Sequence, residues 1–228
     1  MPELSPRLDI LPSAQRLLWS DLRPVSSLGF ALYGGTAVAL RFGHRSSVDF
    51  DFFSEASLDR TRLLESLPFL SRARVLQDRS DTLTFLVAPN LESSETVKLS
   101  FFGSITFGRL GTPQWTTDGI VQIASPEDLL STKLKVVLQR IEAKDYLDIA
   151  AILDSGISLE IGLGGASSLF GPAFQPSECL KALVYFEGGD LETLPVHVRH
   201  QLIASVKSVD DIPQIPVIDR RLTSTPGS

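Results

Sequence analysis

Cysteine is almost missing from this chain of 228 residues: Cys179 stands alone. A single thiol can build neither an intrachain disulfide nor a CxxC metal or redox pair, which fits a reducing cytosol. Long hydrophobic runs are missing too. The longest uncharged stretch in the first third, Val25 to Leu40, is interrupted by Ser, Gly and Thr, and no window of about 18 apolar residues exists, so no membrane span is expected. The opening segment MPELSPRLD carries an early acid and lacks the basic, apolar and small-residue pattern of a secretory leader, so a cytoplasmic protein is expected. Positive charge is in deficit, 21 Lys and Arg against 27 Asp and Glu, for a net charge of −6. That balance disfavours coating DNA by broad phosphate neutralisation and leaves room only for a local basic patch.

What is present suffices for one sizeable core, or a core with a helical appendage, at 43% hydrophobic and 21% charged residues. Leu11 to Val25 reads as an amphipathic helix ended by Pro24, Leu28 to Tyr33 as a strand, Gly34-Gly35 as a turn, Thr36 to Phe42 as a short helix, and Ser47 to Phe53 as the next strand. A helix over Leu58 to Leu67 with Ser57 as cap, a hairpin of Arg72 to Gln77 with Thr82 to Ala88, and a strand over Thr96 to Phe102 follow. After a Gly, Pro and Thr-rich link, Ile120 to Ile123 leads into a helix capped by Ser125, with Pro126 first and Asp128 third. Further helices are expected near Ser177 to Phe186 and Val196 to Val209. The expected organisation is an α/β core over 1–124 with a mixed sheet of about five strands, a helical part over 125–210 completing the active-site cleft, and a flexible tail over 211–228.

The informative stretch is Leu32 to Ser54, LYGGTAVALRFGHRSSVDFDFFS. Asp49 and Asp51 lie two apart on a strand, so both point to one face with Cα atoms about 6 to 7 Å apart, while Phe50 and Phe52 point to the other with Val48. Ionised carboxylates gathered in this way need compensation. A divalent cation such as Mg²⁺, or Mn²⁺, would supply it, since Mg²⁺ takes one or two carboxylates plus phosphate oxygens; pairing with Arg45 or Lys98 is the alternative. Upstream, Gly34 and Gly35 precede a helix, where glycine admits a phosphate close to the backbone and the helix start offers N–H groups and a favourable dipole. Thr36 could add a hydroxyl.

An apolar residue, Gly-Gly, thirteen residues and then Asp-apolar-Asp-apolar resembles the signature of the DNA polymerase beta-like nucleotidyltransferase superfamily. With VKLSFFG and SPEDLLSTKLKVVLQRIEAKDYLDIAAIL the chain resembles the AbiEii/AbiGii toxin family over about Leu28 to Leu153, with a weaker echo in ALVYFEGGD. The resemblance implies a polymerase beta-like core and transfer of a nucleotide from a nucleoside triphosphate (NTP) to an RNA, such as tRNA, or to a protein. It further implies a cognate antitoxin as partner, Gly34, Gly35 and Thr36 around the triphosphate, Asp49 and Asp51 on the metal, Lys133 on phosphate and Asp145 as motif acid.

Polymerase-like members carry a third carboxylate on a later strand, where this chain has Ser100. A hydroxyl is a poor general base and a neutral ligand, so a catalytically weak or inert nucleotide-binding or partner-binding protein with the same fold is the competing reading. On one continuous helix Lys133, Arg140, Lys144 and Asp148 would form a stripe, with Asp145 nearer the apolar face; a break near Ile141 to Ala143 would cancel those angles. The alternative for the stripe is a solvated face with Asp148 paired to Lys144. Arg45 and Lys98 are candidate phosphate contacts, His44 reads as a loop residue, and Phe101-Phe102 and Tyr185-Phe186 read as core.

Overall fold

The alternation Asp49-Phe50-Asp51-Phe52-Phe53 forms a central strand of a mixed sheet. In the computed structural model, which describes residues 3–90 and 95–224, the chain divides into two units: 1–108 with 112–124 and 219–228, and 109–111 with 125–218. The first unit holds the whole sheet. Its strands are β1 (Glu3–Leu4), β2 (Ala31–Tyr33), β3 (Asp49–Phe53), β4 (Arg74–Arg79), β5 (Thr82–Val87), β6 (Val97–Phe102), β7 (Gln114–Thr116) and β8 (Gln122–Ile123), in the spatial order β1-β7-β8-β2-β3-β6-β5-β4. Among the described residues the sheet thus has eight strands rather than about five. The unforeseen strands are β1, of two residues, and β7, of three, inside the Gly, Pro and Thr-rich link, both too short for a periodic pattern to register.

The β3 alternation works as a two-sided device. Phe50 and Phe52 are fully buried on one face, where Phe52 stacks on Phe101 of β6 at 5.4 Å between centroids, while Asp49 and Asp51 stand on the other. Val48 is not part of this alternation: it precedes the strand and is 59% exposed. Pro24 opens a helix instead of ending one. The first helical region splits into α1 (Ser13–Leu18), a 3-10 turn over Trp19–Leu22, and α2 (Pro24–Ser27), with proline at the helix start where its missing N–H is harmless. Helix α3 (Gly34–Phe42) includes both glycines expected as a turn, and α4 (Arg60–Ser66) is capped by Asp59, which accepts the Arg62 N–H at 3.0 Å, rather than by Ser57.

The last described residues also belong to this unit. Leu222 is fully buried, and Ser224 donates its backbone N–H to Gln122 Oε1 at 2.8 Å while its carbonyl accepts Gln122 Nε2 at 2.9 Å. Residues 219–224, expected within a flexible tail, are therefore packed; 225–228 lie outside the described residues.

The second unit is helical: α5 (Pro126–Val136), α6 (Ala143–Asp154), α7 (Leu159–Phe170), α8 (Pro176–Val184) and α9 (Val196–Ser208). The sequence reading passes over α7 because Gly162, Gly164 and Gly165 are poor helix formers. They are there for proximity. A Cβ on Gly162 would lie 2.5 Å from Leu130 Cδ2, and one on Gly165 would lie 2.4 Å from Ser131 Oγ, so glycine at both positions lets α7 approach α5 closely there. Among the described residues no single helix is long and apolar enough to cross a membrane.

Ser125 caps α5 as expected, accepting the Asp128 N–H at 3.1 Å. The Asp128 carboxylate accepts from Leu110 N (2.7 Å), Gly111 N (3.2 Å) and Ser125 Oγ (2.7 Å), which ties residues 109–111 to the first turn of α5. Burial pushes this carboxyl up from 3.8 to about 6, against the pull of those three donors. Between these values the folded state holds a proton that the unfolded chain has lost. The stability so gained is full below the unfolded value and is lost as pH rises through the folded one. In urea unfolding, the stability advantage of wild type over Asp128→Asn should therefore shrink by about 2 kcal/mol between pH 4 and pH 7; an advantage that grows with pH would contradict this.

Candidate active site

Strand β2 is buried throughout and delivers the chain directly into α3, whose first residue, Gly34, has a φ of +71°. Two contacts join this turn to β3. The buried Thr36 hydroxyl donates to the Asp49 carbonyl and lies 2.7 Å from Ser47 Oγ. A Cβ on Gly34 would fall 2.7 Å from Asp51 Oδ2 and 3.3 Å from Asp51 Cβ, so the Asp51 side chain packs against the backbone at the helix start. A carboxylate there is favoured by the positive end of the helix dipole. Of the residues expected around a triphosphate, Gly34 and Gly35 do form the first turn of α3. Thr36 is also there, but its hydroxyl is committed inside the protein.

Asp49 and Asp51 are brought to one face, as expected from their spacing. In the parallel pairing of β3 with β6, Asp49 is opposite Lys98 and Asp51 is opposite Ser100. Lys98 Nζ donates to Asp49 Oδ2 at 2.8 Å, with side chains 38% and 34% exposed, so one carboxylate is compensated by a cation of the chain itself. Ser100, at the position where the resemblance implies a third carboxylate, is buried beside Asp51. Tyr33, opposite Asp51 on β2, stacks on Phe53 at 4.9 Å and supplies an aromatic base to this face. Arg45 and His44 lie in the loop between α3 and β3, and Arg45 Nη1 donates to the Ser46 carbonyl at 2.9 Å.

A divalent cation fits these residues by donor type. Two carboxylates on a rigid strand, beside the glycine-lined start of a helix, are the hard oxygen ligands that Mg²⁺ or Mn²⁺ takes. Among the described residues no group of three or more His, Cys, Asp or Glu is placed to hold a metal ion by itself, so such an ion would complete its shell with nucleotide oxygens and water.

The second unit carries a different charge cluster. The helix does break, with α5 ending at Val136 and α6 starting at Ala143, so the continuous stripe through Lys133, Arg140, Lys144 and Asp148 does not exist. Lys133 Nζ instead bridges Asp145 Oδ1 (2.7 Å) and Asp148 Oδ2 (2.6 Å), with all three side chains buried. Arg140 donates Nε to Asp145 Oδ2 (2.8 Å) and Nη2 to Asp145 Oδ1 (3.0 Å). Lys144 pairs with Glu142 at 2.7 Å, not with Asp148. Burial would raise the Asp145 carboxyl, but Arg140 and Lys133 outweigh it and hold the group below its ordinary value. The expected stripe includes Asp148 but not its pairing with Lys133. The signal was available in the i, i+3 spacing of Asp145 and Asp148, which sets both on one helix face. Tyr185, expected in the core, is 59% exposed, whereas Phe186 packs against Tyr146 at 6.4 Å.

The fold is of the nucleotidyltransferase type. Two solved structures share the fold. An antigenic nucleotidyltransferase-like protein from Paracoccidioides brasiliensis has a TM-score of 0.53 at 20% identity, over 87% of this chain and 94% of that one. MenT4, a nucleotidyltransferase toxin from Mycobacterium tuberculosis, has a TM-score of 0.51 at 13% identity, over 84% and 82%. The model of the AbiEii nucleotidyl transferase toxin of type IV toxin–antitoxin systems matches residues 16–171, and the chain belongs to that family. An uncharacterized protein of Aquifex aeolicus is 37% identical over 134 aligned residues, a match covering 56% of this chain and 61% of that relative's length.

Two outcomes follow from the geometry. Gly34→Ala forces a side chain into a left-handed backbone and onto Asp51, and should lower unfolding free energy by about 1 to 2 kcal/mol in denaturant melts. Lys133→Met leaves two buried carboxylates without their shared cation and should cost about 3 to 5 kcal/mol at neutral pH; a change below about 1 kcal/mol would show that the cluster contributes little.

Proposed function

We propose that this chain is a Mg²⁺- or Mn²⁺-dependent nucleotidyltransferase that moves a nucleotide from a nucleoside triphosphate onto an RNA, such as tRNA, or onto a protein, as the toxin of a pair with a cognate antitoxin. The observation that supports this most directly is the packing of Asp51 against Gly34: it sets the acidic face of β3 and the open N–H groups of α3 side by side. Those N–H groups and the helix dipole suit a phosphate chain. Asp49 and Asp51 would hold the metal, which would relieve their mutual repulsion and neutralise triphosphate charge. The Asp49–Lys98 pair is about one-third exposed on each side. Exposed pairs of this kind are worth about 0.2 to 1 kcal/mol, so Lys98 can exchange Asp49 for an arriving phosphate at little cost. Arg45, in the loop before β3, is a second cation for the same role.

Lys133 and Asp145 enter this reading differently. The Lys133 ammonium is held by two carboxylates, so a phosphate would have to compete with them. We assign the cluster to holding α5 and α6 in register across their break.

Ser100 favours a second reading, a protein that binds nucleotide and turns over slowly or not at all. A buried serine hydroxyl is a poor base at neutral pH, which leaves positioning and charge neutralisation to carry the rate. Incubation with each α-labelled nucleoside triphosphate, Mg²⁺ or Mn²⁺ and a cell extract distinguishes the two. Transfer of label to a macromolecule, abolished in Asp49→Asn together with any growth defect on expression, is the expected result. Nucleotide binding without transfer supports the second reading. Neither binding nor transfer overturns both.

A further inference from the structure

We infer that the outer edge of the sheet, at β4, is a docking site for an acidic, extended polypeptide segment of another protein, which adds to the sheet as a further strand. Among the described residues strand β4 stands last in the sheet and pairs only with β5, so its other side presents backbone N–H and C=O groups. All six of its residues are exposed, including Val75 at 51% and Leu76 at 47%. An exposed edge with two aliphatic side chains is the surface used in strand addition, where main-chain hydrogen bonds supply affinity and alternate side chains supply selectivity.

Charge selects the occupant. In a chain of net charge −6, residues 60–79 hold five arginines and two acids. One acid, Asp78, is already met by Arg60, whose Nη2 lies 2.7 Å from Asp78 Oδ1 and whose guanidinium also serves the carbonyls of Arg79 and Ser80. Arg62, Arg72, Arg74 and Arg79 form no ion pair among the described residues. Guanidinium forks match carboxylates in a bidentate manner, so an acidic segment is attracted where it would have to pair. A second copy of this chain is disfavoured, because two arginine-lined edges repel. RNA is disfavoured because it carries no ladder of N–H and C=O groups for a strand edge, and Val75 and Leu76 offer no aromatic face for its bases.

The test uses the full chain and a synthetic peptide of about ten residues alternating Glu and Val, a length that spans an ordinary strand. Binding is followed by calorimetry and by amide hydrogen exchange. The expected result is slowed exchange at β4 and affinity at least about tenfold weaker for three comparisons: a Lys/Val peptide, a Glu/Val peptide N-methylated at alternate residues, and the variant Arg74→Glu/Arg79→Glu. Should that variant lose its circular dichroism signature, Arg62→Glu/Arg72→Glu, outside the strand, makes the same comparison. The proposal is overturned if the Glu/Val peptide does not bind, or if charge reversal or N-methylation leaves its affinity unchanged. It is equally overturned if this edge instead takes up a short single-stranded RNA or forms a concentration-dependent dimer, either being abolished by the arginine reversals.

Discussion

The contact of the Asp51 carboxylate with the backbone of Gly34 is the constraint around which the first unit is arranged. It requires a residue without Cβ, a left-handed φ at the first helical position, and a strand beside β2 that aims its acids at the helix start. The Thr36 hydroxyl closes the arrangement from the other side through the Asp49 carbonyl. Phe50 and Phe52 hold β3 in place from the opposite face, because shifting the strand by one residue would exchange buried rings for carboxylates. Placement of the acids is thus fixed by apolar packing they do not touch.

Charge is compensated in two ways in this molecule, and the difference bears on function. Asp49 and Lys98 meet at a partly exposed surface, where the pair is weak and solvent can replace either partner. Lys133, Asp145 and Asp148 meet in the interior, joined by the partly exposed Arg140. There, removal of any one charge leaves the others desolvated without a partner, so the cluster holds together as a whole. A surface that must accept a ligand is better served by the first arrangement. Two helices that must stay in register across a six-residue break are better served by the second.

The loop after α8 shows how that break is kept. Asp190 Oδ1 accepts the Ala143 N–H at 2.6 Å, and a Cβ on Gly189 would lie 2.3 Å from the Ile141 carbonyl oxygen. The start of α6, and with it Asp145 two residues on, is therefore held by a loop more than forty residues away in sequence. Within ALVYFEGGD, Gly189 and Asp190 thus serve one helix start.

By itself the sequence determined whatever depends on local periodicity and spacing. The one-sided placement of Asp49 and Asp51, the Ser125 cap of α5, and the β4–β5 hairpin all follow from neighbours within a few residues, where strand alternation and side-chain capping are decided. Only the tertiary structure decided what depends on groups distant along the chain. The two short strands completing the sheet, the helicity of glycine-rich α7 against Leu130 and Ser131, and the packing of Leu222 and Ser224 are imposed by partners that local propensity cannot register. The pairings of Asp49 with Lys98 and of Lys133 with Asp145 and Asp148 belong to the same group. A charge takes whichever opposite charge the fold delivers within about 3 Å, and chain distance says little about which one that is.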